Sequence, residues 1–297
     1  MSGAATGAGD DWRALNRANW DERVPVHLGP RGYDLTALRA GRGRLDAVVE
    51  AELGPTAGLR VVHLQCHFGE DSLVLAQQGA AEVVGVDFSA PAVEAARALA
   101  AELGLADRAR FVCCDLYDAP DALGPEAAGR FDLAFATWGT ICWLPDVRGW
   151  ARVAARLLRP GGVLYFADAH PAALVFDDAG EGAPSPGDGE ARPGWLVPYL
   201  ARAPLVFEEA TDYADPEARL ANRRTVQWLH PLADLLDALR EAGLRVEWLR
   251  EHPRVAWRMF RGLVRDPEDA GGRVGLWTWP GRAWLPLALS LRAVREA

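Results

Sequence analysis

The residues best placed to do chemistry stand at the ends of apolar runs. Leu59–Gly69 reads LRVVHLQCHFG, and an acidic residue, Asp87, closes the run VVGVD eighteen residues after Gly69. An apolar strand that breaks into a tight turn and a helix, then a second strand ending in a carboxylate, is a βαβ unit whose first turn cradles a ligand. Asp87 suits both hydroxyls of a ribose, a bidentate task that a carboxylate performs and an amide does poorly. The pattern predicts a site for a nucleotide-like cofactor. Two histidines, His170 after the strand Val163–Ala167 and His230 in the segment QWLHP, fall where loops converge over that site. Each is a candidate general base, with an ordinary pKa near ~6.5.

The elements that must position these groups follow from the apolar periodicity. Strands are expected at Val61–Leu64, Val83–Val86, Arg110–Cys114, Phe131–Ala136 and Val163–Ala167, alternating with helices at about Asp71–Gln78, from Ser89 to Leu103 and from Pro145 to Leu158. Such alternation gives a parallel sheet. Residues 1–10 read as a disordered tail, and residues 11–57 as a helical cap of two helices with Pro25 and Gly29-Pro30 as breakers. After strand five the composition changes. Phe176–Gly194 is rich in Gly, Pro and acidic residues and reads as a mobile lid. Pro204–Tyr213 and Arg219–Leu229 then suggest a β-hairpin within an insertion at about 172–230, followed by a helix Pro231–Ala242, a strand Leu244–Leu249, an irregular Trp-containing stretch and a last strand Leu285–Leu291. Residues 58–297 read as one domain.

Composition excludes several classes. The chain has 297 residues, a net charge of −9, and 32 basic residues that are all Arg. A nucleic-acid partner needs a basic face, so none is expected. No apolar run approaches the ~20 residues that span a bilayer, and the start MSGAATGAGDD lacks the basic and apolar parts of a signal peptide, so a cytoplasmic protein is expected. Cys66, Cys113, Cys114 and Cys142 fit no zinc spacing, and no metal is expected. Twelve Trp residues are many for this length. Some of them are expected to line a pocket, because indole joins apolar area to a polar handle and attracts cations.

The order of strands, turns and acids resembles the class I S-adenosylmethionine-dependent methyltransferases over about residues 58–170. LLRPGG (Leu157–Gly162) is typical of the turn before their fifth strand. LQCHFG is similar to the cofactor turn of a bacterial small-molecule subgroup, as are Asn19–His27 near the start and Leu285–Ala293 near the end. The resemblance implies a Rossmann-like fold with a seven-stranded, mostly parallel sheet, an N-terminal helical cap and an inserted β-hairpin. It implies S-adenosyl-L-methionine as cofactor, held by the turn residues Gln65, Cys66, His67 and Gly69, by Asp87 and Phe88 at the ribose and adenine, and by Asp115 at the adenine amino group with Leu116 on the ring. Thr137 would meet the methyl donor, Trp138 and Trp143 the donor or the acceptor, and Arg23 and Tyr33 the cofactor carboxylate. One departure stands out. Where the wider superfamily has an acid followed by three alternating glycines, this chain has His63, Gln65, His67 and Gly69.

Methyl transfer from a sulfonium is an in-line displacement that needs alignment and exclusion of water more than covalent help. A neutral amine acceptor needs no base, whereas a hydroxyl or carbon acceptor does, which is why His170 and His230 matter. The expected partner is a small-molecule acceptor, with the chain acting as a monomer or homodimer. The competing readings are a nicotinamide-dependent oxidoreductase, which should carry G-x-G-x-x-G after strand one, and a cofactor-binding protein repurposed for another reaction.

Overall fold

The computed structural model describes residues 11–184, 192–267, 269, 275–281 and 283–297. The expected tail at 1–10, and the part of the expected lid at 185–191, lie outside the described residues.

The chain opens with helix α1 (Trp12–His27), started by the Asp11 carboxylate, which accepts from the Arg13 and Ala14 amides. Pro25 was expected to break this helix, and it does not; it sits inside the last turn. A proline there removes one backbone donor, and tertiary bonds hold the turn in spite of it. Arg23 reaches Asp212 at 2.8 Å and Glu209 at 2.6 Å, and His27 reaches Asp212 at 3.1 Å. Two short helices follow, α2 (Thr36–Arg39) and α3 (Ala47–Leu53), so the cap has three helices where two were expected.

The sheet is built from β1 (Arg60–Leu64), β2 (Glu82–Asp87), β3 (Ala109–Cys113), β4 (Phe131–Thr137) and β5 (Leu158–Ala169), linked by α4 (Glu70–Gln77), α5 (Ala90–Glu102), a single turn α6 (Ala119–Ala122) and α7 (Val147–Leu157). Val61 to Leu64 are all buried, as a strand covered on both faces requires. One face packs Leu73, Phe68, Phe135 and Tyr165 beneath the cap and α4; the other packs Phe131, Trp150 and Phe166 beneath α7. Ser89 caps α5 as expected, its hydroxyl accepting from the Ala92 amide.

The segment Arg159–Gly162 was expected to precede strand five. It lies within it as a bulge: Phe131 pairs with Leu158 and Leu133 with Val163, leaving four residues looped out. Gly162 is required because a Cβ there would stand 2.8 Å from the Arg159 carbonyl and 3.0 Å from that of Phe131.

Beyond β5, β6 (Phe176–Asp177) pairs with β7 (Gly194–Trp195), and β8 (Leu205–Glu208) pairs antiparallel with β9 (Arg224–Gln227). The expected hairpin therefore forms, with short strands and a long connection that carries Asp212. Helix α8 (Leu232–Glu241) leads to β10 (Leu244–His252), and the Trp-containing stretch folds into a small sheet of β11 (Arg254–Val255), β12 (Val264–Arg265) and β13 (Trp277–Thr278). The last strand, β14 (Ala288–Arg295), inserts between β5 and β10, antiparallel to both. The sheet order is β10-β14-β5-β4-β1-β2-β3, seven strands and mostly parallel. Among the described residues no helix is long and apolar enough to cross a membrane.

Helix α1 docks on the hairpin as an extra strand would. The Asn16 amide donates to the Val226 carbonyl and accepts from its N–H, both at 2.8 Å. Glu22 accepts from the Ala221 and Asn222 amides at 2.6 and 2.8 Å. Burial alone would raise the Asp212 carboxyl, but the hydrogen bond from His27 and the charge of Arg23 hold it below its ordinary value. A depressed carboxyl stabilises the fold above its unfolded pKa of ~3.9, and that contribution is lost as pH falls through the folded value. Asp212→Ala is therefore expected to lower stability near neutral pH by about 3–5 kcal/mol, the cost of leaving a buried cation uncompensated, and by less at pH ~3. Urea unfolding at the two pH values checks this. Asp121→Ala, which removes an exposed pair with Arg156, should cost under ~1 kcal/mol.

Candidate functional site

The strand order reverses between β1 and β4, and in open α/β sheets ligands bind in the crevice outside the carboxyl ends at that point. The turn after β1 and the loop after β4 form its two walls.

In the turn, Gln65, His67 and Gly69 have φ of 56°, 50° and 77°. These are the three positions at which the resembled family alternates glycines, so the backbone keeps the left-handed alternation with two side chains added. A non-glycine residue held this way costs on the order of 1–3 kcal/mol. The strained residues are tied down: the Cys66 amide donates to Val86 O at 2.9 Å, the His67 amide to Asp87 Oδ2 at 2.8 Å, and Gln65 Nε2 to Thr140 O at 2.9 Å across the crevice. Glycine survives at 69 for lack of space, since a Cβ would lie 2.5 Å from the Phe111 ring. Gln65 Oε1 is buried with no hydrogen-bond partner among the described residues. Cys66 is buried and its thiol is pushed well up by burial and by Asp87, so it is unreactive packing within the turn.

Asp87 ends β2 as expected. Its oxygens accept from the His67 and Ser89 amides at 2.8 and 2.9 Å, and burial pushes its carboxyl up to about 6. Helix α1 runs across the ends of three strands. Trp20 packs edge-on to His67 at 5.3 Å, Asp21 accepts from the Ser89 hydroxyl at 2.5 Å, the Arg17 guanidinium lies 5.8 Å from the Phe88 ring centre, and Arg13 pairs with Asp115 at 2.8 Å. Leu116 beside Asp115 is buried in the core under α7.

The loop after β4 is held by a residue that sequence reading passed over. Asp168, buried at the end of β5, accepts from the Gly139 and Thr140 amides at 2.6 and 2.9 Å and from the Thr140 hydroxyl at 3.1 Å. A lone acid inside the apolar run YFADA was the available signal, because a buried carboxylate must find donors. Thr137 donates to Asp71 at 3.3 Å. Trp138 turns its indole away from the crevice: Nε1 donates to Asp46 at 2.7 Å, and the ring packs among Val48, Ala256 and Leu276. Trp143 does face the roof, edge-on to Trp20 at 5.3 Å.

The expected bases are engaged elsewhere. His230 Nε2 donates to Leu144 O at 2.7 Å, and its ring borders a cavity of about 20 Å³ shared with Cys142, Asp168 and Trp228. That is room for about one water. His170 accepts the Ala172 amide at Nδ1, 3.1 Å away, and its Nε2 stands 3.0 Å from Glu251. Burial lowers the basicity of both imidazoles. Arg23, expected at a cofactor carboxylate, instead spends its guanidinium on Asn19, Asp212 and Glu209. Tyr33 shares a 2.8 Å hydrogen bond with Tyr213. The histidines that meet at the turn are His27 and His67, whose ring nitrogens lie 2.8 Å apart.

These residues fit the cofactor that the resemblance implies. Gln65 Oε1 is an unfilled acceptor suited to an ammonium group, and Asp87 keeps a second lone-pair direction on each oxygen for ribose hydroxyls. Among the described residues no cluster of three or more His, Cys, Asp or Glu could hold a metal.

The strand order and topology are those of a Rossmann-like methyltransferase fold. Residues 61–162 match the family described as a methyltransferase domain. Methyltransferase GfsG of Streptomyces halstedii is 32% identical over 159 residues, 54% of this chain and 55% of that protein, so the chain spans about half the length of this relative. O-methyltransferase cnsE of Penicillium expansum is 28% identical over 239 residues, covering 78% of this chain and 68% of cnsE. Among solved structures, an S-adenosylmethionine-dependent methyltransferase from Mesorhizobium loti superposes with a TM-score of 0.55 at 24% identity, covering 84% of this chain and 96% of that one.

The crowding at Gly69 sets an expectation. Gly69→Ala adds a methyl group against Phe111 at a left-handed position and should cost about 2–4 kcal/mol through overpacking and strain. Thermal unfolding of the variant checks it; a change under ~0.5 kcal/mol, the range of neutral surface substitutions, would contradict the geometry.

Proposed function

We propose that this chain is an S-adenosylmethionine-dependent methyltransferase acting on a small-molecule acceptor. The observation that carries the reading is the turn at 65–69, left-handed at alternate residues, with the unfilled Gln65 acceptor and the Asp87 carboxylate on either side of it. The name of a relative from Amycolatopsis mediterranei, a 27-O-demethylrifamycin SV methyltransferase, and the acidic net charge support a small-molecule acceptor over a nucleic acid. A nicotinamide-dependent oxidoreductase fits less well, because the turn QCHFG lacks the G-x-G-x-x-G spacing.

The bound cofactor supplies a methyl group on a positively charged sulfur. The chain supplies alignment and dryness. Asp87 accepts the ribose hydroxyls, Gln65 Oε1 accepts the ammonium, and Asp115 accepts the adenine amino group once Arg13 releases it. Trp20 and Trp143 close an aromatic corner over the crevice, where ring faces attract a sulfonium as they do other cations. Helix α1 must lift for entry, exchanging the Arg13–Asp115 and Asp21–Ser89 contacts for cofactor contacts, and on return it excludes water.

Calorimetry with S-adenosylhomocysteine and with NADH tests the assignment. Binding of the first in the micromolar range and none of the second supports it; the reverse overturns it. Asp87→Ala in a folded protein should weaken S-adenosylhomocysteine binding more than about tenfold, the loss of a charged acceptor worth ~1.5–3 kcal/mol. The Asp87 carboxyl, raised to about 6 by burial, must be ionised to accept two hydroxyls. Affinity should therefore hold above that pH and fall as pH drops below it. In Asp87→Asn the affinity should be low and flat across the same range.

A further inference from the structure

We propose that His67, backed by His27 and Asp212, takes the proton of the acceptor, and that the acceptor is accordingly a hydroxyl compound. This rests on the methyltransferase reading above and assigns its base to residues other than His170 and His230.

With His27 neutral, the hydrogen-bond geometry sets the tautomers. Both Asp212 oxygens face His27 Nε2, at 3.1 and 3.2 Å, so that nitrogen carries a hydrogen. His27 Nδ1 is then bare, and His67 Nε2, 2.8 Å away, must donate to it. The hydrogen on His67 is thereby placed on Nε2 and its Nδ1 is left as a proton acceptor. Orienting an imidazole by a partner on its other nitrogen is how a base is poised.

The location is the crevice. His67 stands in the turn after β1, its amide on Asp87, its ring against Trp20, and Trp20 against Trp143 of the opposite wall. Its backbone is held at a φ of 50°, where glycine would be unstrained. The chain thus retains a strained histidine whose ring packs on Trp20, His27 and Phe68, and strain of this kind concentrates at working sites. Other charged or titratable groups facing the relay are Arg23 on Asp212, Glu209 on Arg23, Asp87 at the His67 amide, and Tyr33 and Tyr213, with ring centres 5.2 and 5.1 Å from that of His27. Burial first, with the Arg23 charge, keeps His67 well below its ordinary value despite Asp212. It is therefore neutral at pH ~7, and it is the His27–Asp212 pair behind it that makes it a proton acceptor.

The step balances. As the acceptor oxygen bonds to the methyl carbon, the carbon–sulfur pair stays on sulfur, and the hydroxyl proton passes to His67 Nδ1. The hydrogen on His67 Nε2 passes to His27 Nδ1, leaving a His27 imidazolium against the Asp212 carboxylate. The positive charge lost at sulfur reappears beside a buried anion, and the proton leaves to water when α1 lifts. A neutral amine would need none of this before transfer.

The test uses the full chain. Imidazole nitrogen NMR of the ligand-free protein should show His67 protonated at Nε2 and bare at Nδ1, and that preference should vanish in Asp212→Asn and in His27→Gln. Turnover of methyl-labelled S-adenosylmethionine should then be measured with a panel of phenols and primary amines, with S-adenosylhomocysteine affinity measured beside it. Phenols should be methylated, and His67→Gln, assayed at saturating S-adenosylmethionine, should lower kcat by roughly 10²–10⁴. The loss should shrink as pH rises and for 4-nitrophenol relative to phenol. His27→Gln, which leaves the turn untouched, should show the same pH trend at smaller size. A wild-type His67 protonated at Nδ1, a loss independent of pH, turnover of amines alone, or no phenol turnover by a chain that binds S-adenosylhomocysteine would each overturn the relay. Failure of the wild-type chain to bind S-adenosylhomocysteine would instead overturn the methyltransferase reading on which it rests.

Discussion

One buried carboxylate, Asp212, governs how the crevice is covered. It receives Arg23 and His27 from α1 and its own loop amide from Ala214. Those bonds fix the last turn of α1 despite Pro25, and with the last turn fixed the whole helix lies across the ends of β1, β2 and β3. The helix brings Arg13, Arg17, Trp20 and Asp21 to Asp115, Phe88, His67 and Ser89 in one rigid row. The hairpin, the helix and the crevice roof are thus one mechanical unit whose strongest joint is dry. The outer pairs, such as Arg31 with Asp215 and Glu217, are solvent-exposed and add little.

The turn beneath that roof shows how a glycine pattern can be rewritten without changing the backbone. Left-handed geometry is demanded at 65, 67 and 69, but only at 69 does a neighbouring ring forbid a Cβ. At the other two positions side chains are admitted at the cost of strain, and each has a use. Gln65 bridges the two walls of the crevice, and His67 joins the turn to α1. Function and packing are therefore coupled at the same residues, and a substitution there is expected to move both.

The sheet was legible in the sequence because its strands are apolar runs that end in Asp87 and Asp115, and because Ser89 and the glycines after the helices mark boundaries by local chemistry. The turn after β1 and the place of Asp87 at the end of β2 were legible for the same reason. What escaped is everything decided by distant pairing. Pro25 reads as a breaker until Asp212, far along the chain, holds the turn around it. Asp168 and Asp212 are single acids with no periodic pattern, and His27 reads as part of a cap until its partner is 185 residues away. Trp138 was expected in the crevice because it follows strand four, yet the left-handed backbone at that residue swings its ring onto Asp46. Local rules place elements; the row of contacts between α1, the turn and the hairpin is a property of the assembled fold.

Helix α1 and the hairpin roof the crevice as one unit pinned by Asp212. Amide hydrogen exchange with and without S-adenosylhomocysteine tests it most directly. The account predicts that α1 (Trp12–His27) and β9 (Arg224–Gln227) gain protection together on binding, and that Asp212→Asn raises exchange in both segments in the free protein. Protection gained in the turn at 65–69 while α1 and β9 stay unchanged, or loosening of one segment without the other, would contradict it.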